Sequence, residues 1–117
     1  MRLCITAKGP TLNDEVDPSF GRATYFLFYD PETKELKAVP NDPGAHGAGV
    51  QAARIVAENG ADAVITGSVG PNAHQGLTAA GVEIYTGAQG TVADAISAYA
   101  AGTLSPADRP SRKGHGR

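Results

Sequence analysis

The sequence is poor in several features that define common protein classes. One cysteine, Cys4, in 117 residues excludes an internal disulfide and a four-cysteine metal site. No apolar run approaches the roughly 18 residues needed to cross a bilayer, so we expect no membrane span. The first residues enter a strand-like run directly, so we expect no secretory signal and a cytoplasmic location. A net charge of only −2 argues against a general nucleic-acid binder.

Charge is distributed unevenly along the chain. Residues 1–104 hold six basic and eleven acidic side chains, a net charge of −5, whereas residues 105–117 hold four basic and one acidic, a net charge of +3. The second segment has no large apolar residue and cannot bury enough surface to offset the entropy of ordering. We therefore predict a domain over residues 1–104 and a disordered basic tail over residues 105–117. The tail either solubilises the chain or contacts an acidic partner.

The spacing of apolar residues predicts an α/β domain with five strands and three helices. The first three strands follow one another without a helix, which predicts an antiparallel set with a turn at Pro31. Helices and strands then alternate, which predicts parallel strands joined by right-handed crossovers. The strands are predicted at 3–7, 24–29, 35–39, 63–66 and 82–85, and the helices at 50–58, 71–80 and 91–101. The expected sheet order is 3-2-1-4-5, with strand 3 at an edge.

This topology predicts where a ligand binds. The carboxyl ends of strands 1, 3, 4 and 5 open on one edge of the sheet, where the connecting loops are rich in glycine and proline. In open α/β sheets ligands bind at such an edge, where the winding direction switches, here between strands 1 and 4. Three helix N-termini also face this edge, so it favours an anion.

Phe20-Gly21-Arg22 closes the first of these loops. A glycine beside an arginine at the start of a strand predicts a guanidinium presented to an anionic ligand. A structural interpretation stays open, in which Phe20 closes the core and Arg22 pairs with Asp17 or Glu15.

Three residues are candidate metal ligands. His46 lies in the run His46-Gly47-Ala48-Gly49, where glycines let a bulky ligand approach the backbone, and His74 lies in the first turn of the second helix. Cys4, inside the first strand, is either a soft ligand for iron or a small buried residue. On residue type alone, a solvated surface position is the more common interpretation for both histidines. So few ligands cannot hold an iron–sulfur cluster as a ferredoxin does, but could hold a preassembled cluster loosely, together with backbone donors.

The loop from Gly67 to Gly70 joins a strand to a helix without a P-loop or dinucleotide-binding signature. It predicts a weak anion cradle. The central strands offer Thr6 and Thr66 rather than paired carboxylates, so two-metal phosphodiester hydrolysis is not expected.

Together these motifs resemble the dinitrogenase iron–molybdenum cofactor biosynthesis family (NifX-like domains), over about residues 1–104. The order and spacing of the motifs carry the resemblance. They are Leu3-Cys4-Ile5, Phe20-Gly21-Arg22-Ala23, His46-Gly47-Ala48-Gly49, residues 60–67, Gly70-Pro71-Asn72-Ala73 and residues 90–96. Relatives often carry a His-Gly-His-Gly-like run where this sequence has one histidine.

The resemblance implies a ribonuclease-H-like, three-layer fold without nuclease activity. It implies a non-catalytic carrier of an iron–sulfur or iron–molybdenum cluster, or of its precursor, in metallocluster biosynthesis for nitrogen fixation. Its partners would be cluster assembly or acceptor proteins, with no nucleic acid and no membrane. A metal-free regulatory or scaffold module that binds a protein or small anion is the alternative. The expected cofactor-binding residues are Phe20, Gly21, Arg22, His46, Gly47, Gly49, Gly67 and Gly70, and the expected metal ligands are His46, Cys4 and His74.

Overall fold

The computed structural model describes residues 1–41 and 48–107 of the chain. Six strands and three helices are found there. In chain order they are β1 (Leu3–Ala7), β2 (Tyr25–Tyr29), β3 (Leu36–Pro40), α1 (Ala48–Glu58), β4 (Ala63–Ile65), α2 (Pro71–Ala79), β5 (Glu83–Thr86), α3 (Val92–Ala101) and β6 (Ser105–Pro106).

The strands form one mixed sheet in the order β3-β2-β1-β4-β5-β6. β1 pairs antiparallel with β2, with Cys4 opposite Phe28, and parallel with β4, with Cys4 opposite Val64. The predicted order of the first five strands and the position of β3 at an edge are confirmed. The winding direction therefore switches between β1 and β4, where the sequence placed the ligand.

The prediction of five strands was wrong, because the predicted tail begins with a strand. Ser105 lies opposite Thr86 and Pro106 opposite Tyr85 in an antiparallel pair. The N–H of Ala107 then donates to the carbonyl of Ile84 at 2.8 Å. Main-chain pairing needs no apolar side chain, so composition alone did not reveal β6. Residues 108–117 lie outside the described residues.

The helices cover the sheet on both faces, which gives three layers. α1 and α2 pack on the face that holds Cys4, Phe26 and Val64, and α3 packs on the opposite face. α1 and α2 approach closely because the contact is made of small residues: a Cβ at Gly76 would lie 3.0 Å from the Ala53 methyl carbon. Among the described residues no helix has both the length and the apolar character to cross a membrane.

α3 begins and ends as the sequence predicts. The Thr91 hydroxyl accepts from the Asp94 N–H, and the Asp94 carboxylate accepts from the Thr91 N–H. This capping box satisfies two of the N–H groups that a helix start leaves open. Gly102 follows the last turn and ends the helix.

Candidate functional site at the carboxyl edge of the sheet

Two buried threonines lie at the ends of the central strands. The hydroxyl oxygens of Thr6 and Thr66 are 2.8 Å apart, and Thr6 Oγ1 is also 2.8 Å from the Asp17 carbonyl oxygen. The N–H of Asp17 in turn donates to the Thr6 carbonyl at 2.9 Å. The loop after β1 is therefore fixed directly above the point where the winding direction switches.

The loop after β1 is joined to the loop after β4. The N–H and the hydroxyl of Ser68 both donate to the Pro18 carbonyl, at 2.8 and 3.1 Å, and the Phe20 N–H donates to the Ser68 carbonyl at 3.1 Å. A Cβ at Gly67 would lie 2.6 Å from the Pro18 carbonyl oxygen, so only glycine fits there without movement. We call residues 17–24 and 67–70 together the double-loop rim. The structure thus brings together the segments holding Phe20, Gly21, Arg22, Gly67 and Gly70, as the sequence predicted.

Two polar side chains shape residues 19–24 of this rim, which carry Arg22 and which we call the arginine turn. The Asp17 carboxylate accepts from the Thr24 N–H at 3.3 Å and from the Ser19 N–H at 3.4 Å. Asn41 donates through its side chain to the Ala23 carbonyl at 2.8 Å. Both residues fell in loops, where hydrophobic periodicity gives no signal, so sequence reasoning assigned neither of them to the site.

The position of Phe20 does not fit its predicted role as a cofactor-binding side chain. The ring is fully buried and packs against Phe26, with the ring centroids 5.5 Å apart. A ligand on the surface can reach only the backbone of Phe20, whereas Arg22 is exposed on the rim. Glu15, one of the predicted partners of Arg22, forms an exposed ion pair with Lys8 at 3.4 Å.

The predicted histidine loop is described only at its two ends. His46 and Gly47 lie outside the described residues, so their predicted roles stay predictions. Gly49 is in the first turn of α1, and a Cβ there would lie 3.3 Å from the backbone nitrogen of Ala73. The first turns of α1 and α2 therefore meet beside the rim, as the predicted topology requires.

The ring of His74 forms a hydrogen bond at the side of the rim. Its Nε2 lies 3.1 Å from the carbonyl oxygen of Ala107. A carbonyl can only accept, so Nε2 carries a proton and Nδ1 is the nitrogen left for a ligand. No three His, Cys, Asp or Glu side chains within residues 1–41 and 48–107 are grouped so as to hold a metal ion.

The family of the chain follows from comparison with known proteins. The family model described as dinitrogenase iron-molybdenum cofactor matches residues 1–102. The chain belongs to this family. The predicted resemblance is therefore confirmed.

Three relatives of this dinitrogenase iron-molybdenum cofactor domain span most of the chain. The apo form of the orange protein from Desulfovibrio gigas is 40% identical, covers 93% of this chain and 94% of its own, and superposes with a TM-score of 0.89. A candidate NifB protein from Thermotoga is 37% identical, covers 90% of this chain and 91% of its own, with a TM-score of 0.81. An uncharacterized protein from Methanocaldococcus jannaschii is 28% identical over 100 residues, 81% of this chain and 85% of its own.

Cys4, predicted as an auxiliary metal ligand, is not at the rim. Its side chain is fully buried among apolar residues between the sheet and the α1–α2 layer, and this burial raises the pKa of the thiol far above its usual range. Only a thiolate is a good nucleophile or metal ligand. The structure therefore contradicts a ligand role and agrees with the alternative, a small buried residue.

We expect the Cys4 thiol to resist alkylation in the native protein and to react fully after unfolding. Mass spectrometry after iodoacetamide treatment, with and without urea, measures this. Above pH of about 8.5 the unfolded thiol ionises while the folded one does not, so the thiol lowers stability as the pH rises. Cys4→Ala should remove that part of the pH dependence. Rapid native alkylation would contradict the buried position.

Proposed function

We propose that this protein is a non-catalytic carrier that binds an anionic iron–sulfur or iron–molybdenum cluster, or a precursor of one, at the double-loop rim. The observation that supports the proposal is the fixed junction of Pro18, Phe20 and Ser68, which joins the segment that carries the exposed Arg22 to the glycine loop before α2. Membership in a family described by the iron-molybdenum cofactor gives the cargo its chemical class.

The rim would hold such a cargo mainly through charge and hydrogen bonds. Arg22 would pair with the cluster, and backbone N–H groups near Gly49 and Gly70 would donate to its sulfur or oxygen atoms. His46, with Gly47 beside it, would supply a metal ligand, and Nδ1 of His74 an auxiliary one. Few ligands suit a carrier, because a cargo held by one or two bonds can be passed on. The partners would be cluster assembly or acceptor proteins.

The absence of a catalytic role is part of the proposal. A nuclease of the ribonuclease-H-like type, the fold that we assign, uses paired carboxylates on central strands to bind two metal ions. Here the central strands β1 and β4 lead to Thr6 and Thr66, whose hydroxyls bond to each other in the buried layer. This polar pair supports the rim instead of binding metal ions.

Anaerobic titration tests the carrier role. Ferrous iron and sulfide, with and without molybdate, are added to the apoprotein, and bound cluster is followed by visible absorption after gel filtration. We expect Arg22→Gln to weaken binding about tenfold, the effect of one lost charge-assisted hydrogen bond, and His46→Ala to reduce the bound fraction. Arg54→Gln, which removes the same charge from an exposed position in the middle of α1, should bind as the wild type does.

Each outcome of the titration has a distinct meaning. No uptake by the wild type would remove the carrier role and favour the metal-free regulatory module. Equal uptake by wild type and His46→Ala would remove only the ligand role of His46. Equal weakening by Arg22→Gln and Arg54→Gln would show that net charge, rather than the rim, attracts the cluster.

A further inference from the structure

Asn41 lies directly after β3, at the start of the connection to α1. Its N–H donates to the Thr24 carbonyl at 2.9 Å. Its side-chain nitrogen donates to the Ala23 carbonyl at 2.8 Å and lies 3.5 Å from the Gly21 carbonyl. Gly21 and Ala23 are the two neighbours of Arg22. From this we propose that Asn41 is the positioning residue of the rim, which fixes the backbone on both sides of Arg22.

The geometry explains why an asparagine is needed. Three carbonyl groups of the arginine turn lie 2.8 to 3.5 Å from nitrogen atoms of Asn41. The side-chain amide has two N–H bonds on one nitrogen, and the main chain adds a third. Aspartate offers no side-chain donor, and leucine, of similar size, offers none either.

Asn41 complements Asp17 within the same turn. The Asp17 carboxylate binds N–H groups, those of Ser19 and Thr24, whereas Asn41 binds carbonyl groups. Within the turn, the Ala23 N–H also donates to the Phe20 carbonyl at 3.4 Å. The two side chains therefore bind both kinds of main-chain group in the turn, Asp17 the N–H groups and Asn41 the carbonyl groups.

A fixed turn matters for ligand binding because ordering a loop on binding costs affinity. With the backbone fixed on both sides of Arg22, an anion that binds there does not have to order the main chain of the turn. In the sequence, Asn41 directly precedes the connection that contains His46. This role rests on the proposed function, since it presupposes an anionic ligand at Arg22.

A double-mutant cycle tests the proposal. Asn41→Leu removes the side-chain donor without adding charge, and we expect it to weaken uptake of the iron–sulfur cluster about tenfold in the titration described above. In an Arg22→Gln background the same substitution should have almost no further effect, because Asn41 acts through Arg22. Asn41→Gln, which keeps the donating amide, should restore part of the affinity.

Amide NMR spectra of the apoproteins provide a readout without ligand. We expect Asn41→Leu to shift the signals of Gly21–Thr24 and to speed their hydrogen exchange, while the signals of α3 stay in place. If Asn41→Leu does not fold, Asn41→Ser, which keeps a single donor, takes its place in the cycle.

The outcomes separate this inference from the proposed function. Additive losses from Asn41→Leu and Arg22→Gln would overturn the positioning role while leaving the carrier role intact. Wild-type affinity in Asn41→Leu would do the same. Absence of cluster uptake by the wild type would remove the carrier role, and the positioning role with it, even if the NMR signals of the turn shift as expected.

Discussion

Phe20→Ala should destabilise the protein by about 3–5 kcal/mol, the range for removing a buried phenylalanine ring. The ring is 0% exposed and lies tilted against Phe26 at the end of the sheet, where it closes the core beneath the rim. Its backbone N–H is bonded to Ser68, so the cavity would open directly under the junction of the two loops. Urea unfolding monitored by circular dichroism measures the change.

Phe20→Leu separates packing from ligand contact. Leucine keeps most of the apolar volume, so we expect a loss of only about 1 kcal/mol, with cluster uptake close to that of the wild type. A variant that is nearly as stable as the wild type but takes up no cluster would show that the aromatic ring touches the ligand. That result would restore the role which the sequence first suggested for Phe20.

The sequence was most informative where periodicity and turn chemistry decide the structure. Alternation of strands and helices after residue 48 leaves few topologies that obey right-handed crossover, and the observed order of β1 to β5 is the expected one. The pattern Thr91-Val92-Ala93-Asp94 identified a helix start because reciprocal capping requires those residue types at that spacing. These elements alone predict that the loops after β1, β3, β4 and β5 lie at one edge of the sheet.

The hydrogen bonds of the site could not be predicted from the sequence in the same way. The bonds that join Pro18, Phe20 and Ser68 are mostly between main-chain groups, which every residue except proline carries in the same form. Arg22 could be recognised because its charge is unusual beside glycine. Asn41 could not, because its function depends on three carbonyl groups that only the folded turn brings to it.

The sequence also could not decide whether the side chain of Cys4 is buried. Every residue of β1 is buried, so the alternation that tells one face of a strand from the other is missing from the sequence Leu3–Ala7. Without that alternation, the sequence favoured a buried thiol but did not exclude a sulfur at the edge of the sheet. The register with Phe28 and Val64 settles the question, because it places Cys4 in the middle of the sheet.

Gly67→Ala should separate the two loops of the rim. The new methyl carbon would lie 2.6 Å from the Pro18 carbonyl oxygen and 2.8 Å from its Cα, both of them backbone atoms that cannot turn aside. One loop must therefore move, at the expense of the bonds between Ser68 and Pro18. Overpacking of this kind costs about 1–3 kcal/mol, and each lost hydrogen bond adds about 1 kcal/mol. We expect both the midpoint temperature of thermal unfolding and the amount of cluster bound to fall.

Gly81→Ala is the matched control for this substitution. Gly81 has a φ of +78° and no heavy atom within 4 Å of a Cβ, so alanine there meets only the conformational cost of the left-handed region, about 1 kcal/mol. It lies after α2, away from the rim, so cluster uptake should stay at the wild-type level. If Gly67→Ala instead lowers stability no more than Gly81→Ala and leaves uptake unchanged, the loops tolerate separation. The carrier site would then have to lie elsewhere on the carboxyl edge.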